Sequence, residues 1–186
     1  MDAELVVRAQ GGDRDAFASI ATLTYGRLHR VAQNILSDVD RADDATQQAV
    51  VDIWRKLPQL RDPRKFEAWS YRVVVNCCYA EARQGQRWLP GLATERDEDP
   101  QAVEAITGVV YRDQLERGFR RLPLEQRVVV VLHIYLGLPL REVAQVLGIP
   151  EGTAHSRLSR AKDALRAALE ADARVPDAAP TAEKAP

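Results

Sequence analysis

Leu140–Leu169 reads LREVAQVLGIPEGTAHSRLSRAKDALRAAL, and the fold turns on how this stretch is read. Its spacing predicts two helices joined by a tight turn. In the first, about Leu140 to Leu147, Val143, Ala144 and Leu147 share a face. Gly148 follows the last apolar position, where a helix end needs a residue tolerant of positive φ. Ile149 is left to pack between the helices, and Pro150 presets φ for a new start. The second helix begins at about Glu151 or Gly152 and runs to Leu169. Ala154, Leu158, Ala161, Leu165 and Ala168 recur at helical spacing and form one buried stripe. His155, Ser156, Arg157, Ser159, Arg160 and Lys162 lie on the other face. A Gly turn followed by a helix with a small, polar and basic outer face reads as a DNA-binding helix-turn-helix. An ordinary helical hairpin in a bundle is the alternative.

Working upstream, Val128–Tyr135 (VVVVLHIY) has the β-branched content of a strand. Pro123-Leu124-Glu125 makes a helix start and Leu136-Gly137-Leu138-Pro139 a stop, so Leu124 to Tyr135 is assigned as helix. Val103 to Leu122 also reads as helix, ended by Pro123. Between it and the N-terminal half, Trp88–Gln101 (WLPGLATERDEDPQ) changes character, with two prolines, a glycine and an acidic run. It reads as a linker.

The N-terminal half holds four amphipathic segments. Asp2–Gln10 places Leu5, Val6 and Ala9 on one side, and Gly11-Gly12-Asp13 breaks it. Asp13 or Asp15 caps the next helix, Ala16 to Leu36, whose inward positions include Phe17, Ile20, Leu23 or Thr24, Leu28 and Ile35. Ala42 to Leu57 turns Ala45, Ala49, Val50, Ile53, Trp54 and Leu57 inward, and Pro58 stops it. Leu60–Lys65 (LRDPRK) is a basic loop. Phe66 to about Arg83 is the fourth helix, with Trp69, Val73, Asn76 or Cys77, and Ala80 as inward candidates. The expected fold is all-α. Two small helical domains, residues 1–88 and 104–170, are joined by a flexible linker at 89–103, and a Pro- and Ala-rich tail at 171–186 is disordered.

Composition limits the function. The 186 residues carry a net charge of −1, which excludes a globally basic nucleic-acid binder and leaves only local patches. No apolar run approaches the roughly 18 residues of a membrane span, and the acidic start MDAELVVRAQ is no secretory signal. Cys77 and Cys78 are neighbours and staple nothing; they read as buried apolar positions in a reducing cytoplasm, with no metal ligands around them. His29, His133 and His155 lie far apart, and neither a nucleophile motif nor a Gly-rich phosphate loop appears. No enzyme activity, metal or cofactor is expected.

Three blocks carry a family resemblance. Asp40–Gln48 (DRADDATQQ) with Trp54 resembles the acidic polymerase-binding helix of the extracytoplasmic-function (ECF) group of bacterial RNA polymerase sigma factors. Phe66–Asn76 (FEAWSYRVVVN) is similar to the promoter-melting helix of that group. Leu122–Arg127 (LPLEQR), Arg141–Ala144 (REVA) and Gly152–Ala161 (GTAHSRLSRA) resemble its second DNA-binding module. The blocks span nearly the whole chain, in order.

The resemblance implies an alternative sigma factor that brings core RNA polymerase to a promoter. Asp43, Asp44, Gln47, Gln48 and Trp54 would grip the polymerase clamp, and the second module would meet its flap. An acidic face beside an aromatic anchor suits a basic, partly apolar partner. Read without the resemblance, the same residues are a solvated face beside a core Trp. Asn76 would capture a flipped base of the −10 element, since an amide offers donor and acceptor together; otherwise it is a structural amide. Arg61, Arg64 and Lys65 would hold phosphates of the opened strand, and Tyr71 would stack or pack. Thr153, His155, Ser156, Arg157, Ser159 and Arg160 would meet the −35 element. His155 and Ser156 fall at base edges, while Arg157 and Arg160 serve mainly phosphates or internal pairs. The chain departs from the family pattern at Ala154, usually Val, and at His155, usually Lys or Arg. An imidazole lacks the Arg fork, so the −35 preference is expected to differ. An anti-sigma factor is a further expected partner. A stand-alone helix-turn-helix regulator and a protein-binding helical adaptor are the rival readings.

Overall fold

The structure, a computed structural model, describes residues 1–88 and 115–172. All regular structure among them is helical. The first module comprises α1 (Ala3–Gln10), α2 (Arg14–Leu36), α3 (Val39–Lys56) and α4 (Phe66–Trp88). The second comprises the helical stretch 115–120 (α5), α6 (Leu124–Val130), α7 (Leu140–Leu147) and α8 (Glu151–Asp172). The expected linker, and the expected tail beyond 172, lie outside the described residues.

Aspartates start three of the helices. Asp2 accepts from the backbone N–H of Glu4 at 3.0 Å, Asp13 from Ala16 at 2.9 Å and Asp38 from Arg41 at 3.1 Å. Of the two candidate caps before α2, Asp13 is the one used. Asp38 moves the start of α3 three residues ahead of the expected Ala42, because a cap satisfies an otherwise orphaned amide. Short 3₁₀ turns at Leu57–Gln59 and Pro63–Lys65 carry the chain from α3 to α4.

The first module packs α2, α3 and α4 around Ile20, Leu28, Ile35, Ile53, Phe66 and Val74, each at most 2% exposed. Burying a large side chain of this kind contributes about 1.5–3 kcal/mol. Ala42, Ala45 and Ala49 give α3 a thin inner face, so neighbouring helices approach closely. At the ambiguous position on α2, Thr24 is inside and donates to Ile20 O at 2.7 Å, while Leu23 is 66% exposed.

In the second module the valine run is helical, as α6, but the helix then widens into a π turn at Val131–Tyr135. Leu136 N donates to Val131 O at 3.0 Å, five residues back, and His133 Nδ1 lies 2.7 Å from Leu138 O. The extra residue in the turn is absent from a simple 3.6-residue reading and leaves Ile134 and Tyr135 half exposed. Gly148 ends α7 at φ 66°, and Ile149 N closes back to Ala144 O at 3.1 Å.

The two modules touch. α4 packs on α7, and α2 packs on α6 and on the π turn. One buried apolar cluster runs through both, from Val6 to Leu158. Arg127 crosses with it. Arg127 Nη1 donates to Ile35 O at 2.8 Å and to Ser37 Oγ at 3.4 Å in the first module, and Nη2 donates to Arg120 O and Leu122 O in its own.

Candidate nucleic-acid and polymerase surfaces

On α8, Ala154, Leu158 and Ala161 of the expected stripe are buried, while Leu165 and Ala168 are half-buried. That fixes which side of the helix is left for a ligand. His155, Ser159 and Arg160 are exposed; Thr153, Ser156 and Arg157 are half-buried. Ser156 Oγ donates to Thr153 O at 3.0 Å, so its hydroxyl is already committed to the helix and offers a ligand its acceptor lone pairs. His155 Nε2 stands 3.8 Å from Glu151 Oε1, one turn back. Arg157 lies within electrostatic reach of the Tyr79 hydroxyl on α4.

On α4 the expected −10 residues divide. Asn76 is exposed, on a face shared with Arg72 one turn back. Tyr71, expected either to stack on the opened strand or to pack, is 3% exposed. Its hydroxyl donates to Glu67 Oε1 at 3.3 Å, and the Arg27 guanidinium lies 5.6 Å from its ring centre. Arg27 also pairs with Glu67. Burial pushes the Tyr71 phenol above its ordinary range. In this conformation Tyr71 is a packing residue. Its place on the inner side of α4 follows from helical register with Phe66 and Val74, which a motif comparison passes over.

The basic loop is presented by its own cap. Asp62 accepts from the Arg64 backbone N–H at 3.1 Å, a bond that, with the Arg64 side chain, holds its carboxyl below the usual range. Arg61, Arg64 and Lys65 are all exposed. The Arg64 side chain, 84% exposed, sits 3.3 Å from Asp62 Oδ1, an ion pair too wet to hold it.

On α3, Asp44, Gln47 and Gln48 are exposed, and Asp43 is partly covered beside His29, with Nε2 to Oδ1 at 2.8 Å. That contact is close but poorly aligned for a hydrogen bond. Gln48 donates to Asp52 at 2.9 Å, and Lys56 pairs with Asp52 at 2.6 Å. Together they hold the Asp52 carboxyl below the usual range, Lys56 first. Trp54, expected inward, is 38% exposed and leans on Phe17. With Val50, Val51 and Arg14 these rings line a shallow cavity of about 340 Å³. Acidic groups beside an accessible indole are thus arranged along one helix.

One feature went unread in the sequence. Leu115, Phe119, Val130, Ile134, Tyr135 and Leu165 line an apolar groove of about 520 Å³ on the second module, reached by Asn34 of the first. Its signal was Ile134-Tyr135 at the end of a run whose other members are core.

Comparison with known proteins gives this architecture its class. Residues 21–88 match the family described as Sigma-70 region 2, and residues 112–165 match Sigma-70, region 4. The chain belongs to the sigma-70 class of transcription initiation factors, which direct RNA polymerase to promoters and are not themselves catalysts. Within that class it is a member of the ECF group. It is 32% identical over 165 residues to the ECF RNA polymerase sigma factor SigM of Mycobacterium tuberculosis, covering 87% of this chain and 81% of SigM. It is 30% identical over 179 residues to the ECF RNA polymerase sigma-E factor of Escherichia coli, covering 88% and 92%. The fold is similar to that of CnrH in complex with the cytosolic domain of CnrY, with a TM-score of 0.68 at 24% identity over 92% of this chain and 98% of that one. It is also similar to the sigma factor RpoE in complex with the anti-sigma factor NepR from Bartonella quintana, with a TM-score of 0.65 at 24% identity over 84% and 98%. Among the described residues no helix is long and apolar enough to cross a membrane.

Proposed function

We propose that this ECF sigma factor divides promoter recognition between its modules, residues 1–88 and 104–170. α8 enters the major groove of the −35 element with His155 and Ser156 at base edges, Ser159 one turn on, and Thr153, Arg157 and Arg160 toward phosphates. Asn76 takes a flipped base of the −10 element, and Arg61, Arg64 and Lys65 follow the backbone of the opened strand. Asp43, Asp44, Gln47, Gln48 and Trp54 meet the polymerase clamp, and the second module its flap. Protein partners include an anti-sigma factor, as in the complexes of CnrH and of the Bartonella RpoE. The chain acts in the cytoplasm.

The observation that carries the reading is the exposure of His155, Ser159 and Arg160 on a helix whose opposite side buries Ala154, Leu158 and Ala161. A net charge of −1 supports weak DNA binding by the chain alone, with polymerase supplying most of the hold. Run-off transcription with core polymerase is the test. Promoter-specific transcripts that require this chain are expected; none from any template of the cognate genome would return the chain to the regulator or adaptor readings.

A further inference from the structure

The contact between modules conflicts with the promoter grip proposed above. The −10 and −35 elements are centred about 25 base pairs apart, roughly 85 Å along the duplex. Yet α4 packs directly against α7 of the helix-turn-helix, a separation on the order of 10 Å. One chain in this conformation cannot touch both elements. The modules must part, and whatever holds them together sets how readily they do.

Two observations identify the hold. The first is Arg127. It is more than half buried, its charge raised in cost by burial, and its recorded acceptors are three carbonyls and a hydroxyl. Two of them belong to the other module, and Ile35 O lies in the last turn of α2. That turn has no basic residue of its own. The exposed carbonyls and negative end of a helix favour a cation there, and here the cation arrives from the second module. Arg127 therefore caps α2 in trans only while the chain is closed.

The second is Val146. It lies roughly a third of a turn from the centre of the Val143, Ala144 and Leu147 face, so packing on α8 does not explain its burial. It is nonetheless 5% exposed, and α4 is the other long helix against α7. Beside it, Arg72 Nη2 of α4 stands 3.3 Å from where a β-carbon on Gly148 would lie.

We propose that Arg127 and Val146 form a latch that folds the second module back on the first and must release before the chain engages polymerase and promoter together. The mechanical half stands on the contacts alone; the gating half rests on the promoter reading. A binding-competent state that is only fractionally populated lowers apparent affinity by that fraction, so weakening the latch tightens binding to any partner that needs the open chain.

The test compares the full chain with Arg127→Ala and Val146→Arg. Small-angle scattering reads the closed state directly. Both variants are expected to gain several ångströms in radius of gyration over wild type while keeping helical circular dichroism and a cooperative melt. Val146→Arg disturbs only the face toward α4, so it decides the matter if Arg127→Ala also loosens its own module through Arg120 and Leu122. Equal radii in a folded Val146→Arg chain, or a wild type already extended, would overturn the latch. Core polymerase titration reads the gate, with about tenfold tighter binding expected of the folded variants. Expansion without any gain in affinity would overturn the gating half. If no form binds polymerase, the sigma reading falls, and scattering still decides the latch.

Discussion

The indole of Trp54 lies against the ring of Phe17 with centroids 4.6 Å apart and planes tilted by 60°. The pair joins α3 to α2 and leaves one edge of the indole to solvent beside Val51, itself 42% exposed. An aromatic ring held this way is already ordered before a partner arrives, so its binding costs little conformational entropy. Trp54→Ala is expected to weaken core polymerase binding by tenfold or more, in line with the ~2 kcal/mol of an interface hot spot. Trp54→Phe keeps the contact with Phe17 and retains most of the affinity. Titration of labelled polymerase checks both, and wild-type affinity in Trp54→Ala would remove the residue from the interface.

His155 is the position where this chain departs from its group. Its side chain is 61% exposed, and the neighbouring Glu151 carboxylate is near enough to orient it. One neutral or charged imidazole bond to a base edge is worth about 1 kcal/mol of discrimination, toward the low end for a base contact. His155→Ala should flatten transcription across a panel of −35 variants by roughly fivefold and leave −10 preferences unchanged. His155→Arg should shift the preferred −35 base toward guanine. Identical profiles for wild type and His155→Ala would exclude base reading at this position.

Gly148 offers a sharper stability test. At φ 66° and ψ 35° it closes α7 in a conformation that costs an L-residue about 1 kcal/mol. A β-carbon there also crowds Arg72 Nη2 at 3.3 Å. Gly148→Ala is expected to lower unfolding free energy by about 1–2 kcal/mol. Adding Arg72→Ala should recover part of the loss, because crowding is then relieved and only backbone strain remains. Urea denaturation of the single and double variants measures the split.

Much of this molecule was legible in advance, for identifiable reasons. The helix-turn-helix could be read because Gly148 and Pro150 bracket the turn and the Ala154-to-Ala168 stripe has a strict period. The expected Ala42 start of α3 missed Asp38, whose cap lies outside the apolar pattern. Tyr71 was left open between stacking and packing. A motif places it among DNA contacts, but its register with Phe66 and Val74 buries it. The packing of one module on the other was invisible, since it depends on Arg127 reaching a backbone carbonyl 92 residues away. No local pattern encodes that. Val146 was the available clue, an apolar residue off the stripe of a short helix.

The adjacent thiols should behave as core atoms. Burial pushes Cys77 up to about 11, and pushes Cys78 further still, with Cys77 beside it adding to the effect. At pH 7.5 both are then almost wholly protonated, and thiolate is the reactive form. Native protein should react with iodoacetamide far more slowly than a free cysteine, and fully within minutes once unfolded. Rapid modification of either residue in the native chain would show that α4 opens far more often than its burial implies.

Acid should act first on the N-caps. Asp13 lies below its ordinary range, chiefly through the Ala16 N–H and then the Arg8 side chain, which closes on it at 2.7 Å. Asp52 and Asp62 are lowered as well. For a carboxyl whose folded pKa is depressed, the folded state binds fewer protons than the unfolded one. The stability it contributes is present above its unfolded value, about 3.9, and is lost as pH falls through the folded value. Unfolding midpoints should therefore be flat in this respect from pH 7 to about 5 and fall below pH 4. Asp13→Asn retains a capping oxygen but no titrating charge, so its midpoint should lie below wild type at neutral pH and converge on it in acid. Parallel curves across the whole range would mean that Asp13 titrates alike in the folded and unfolded chain.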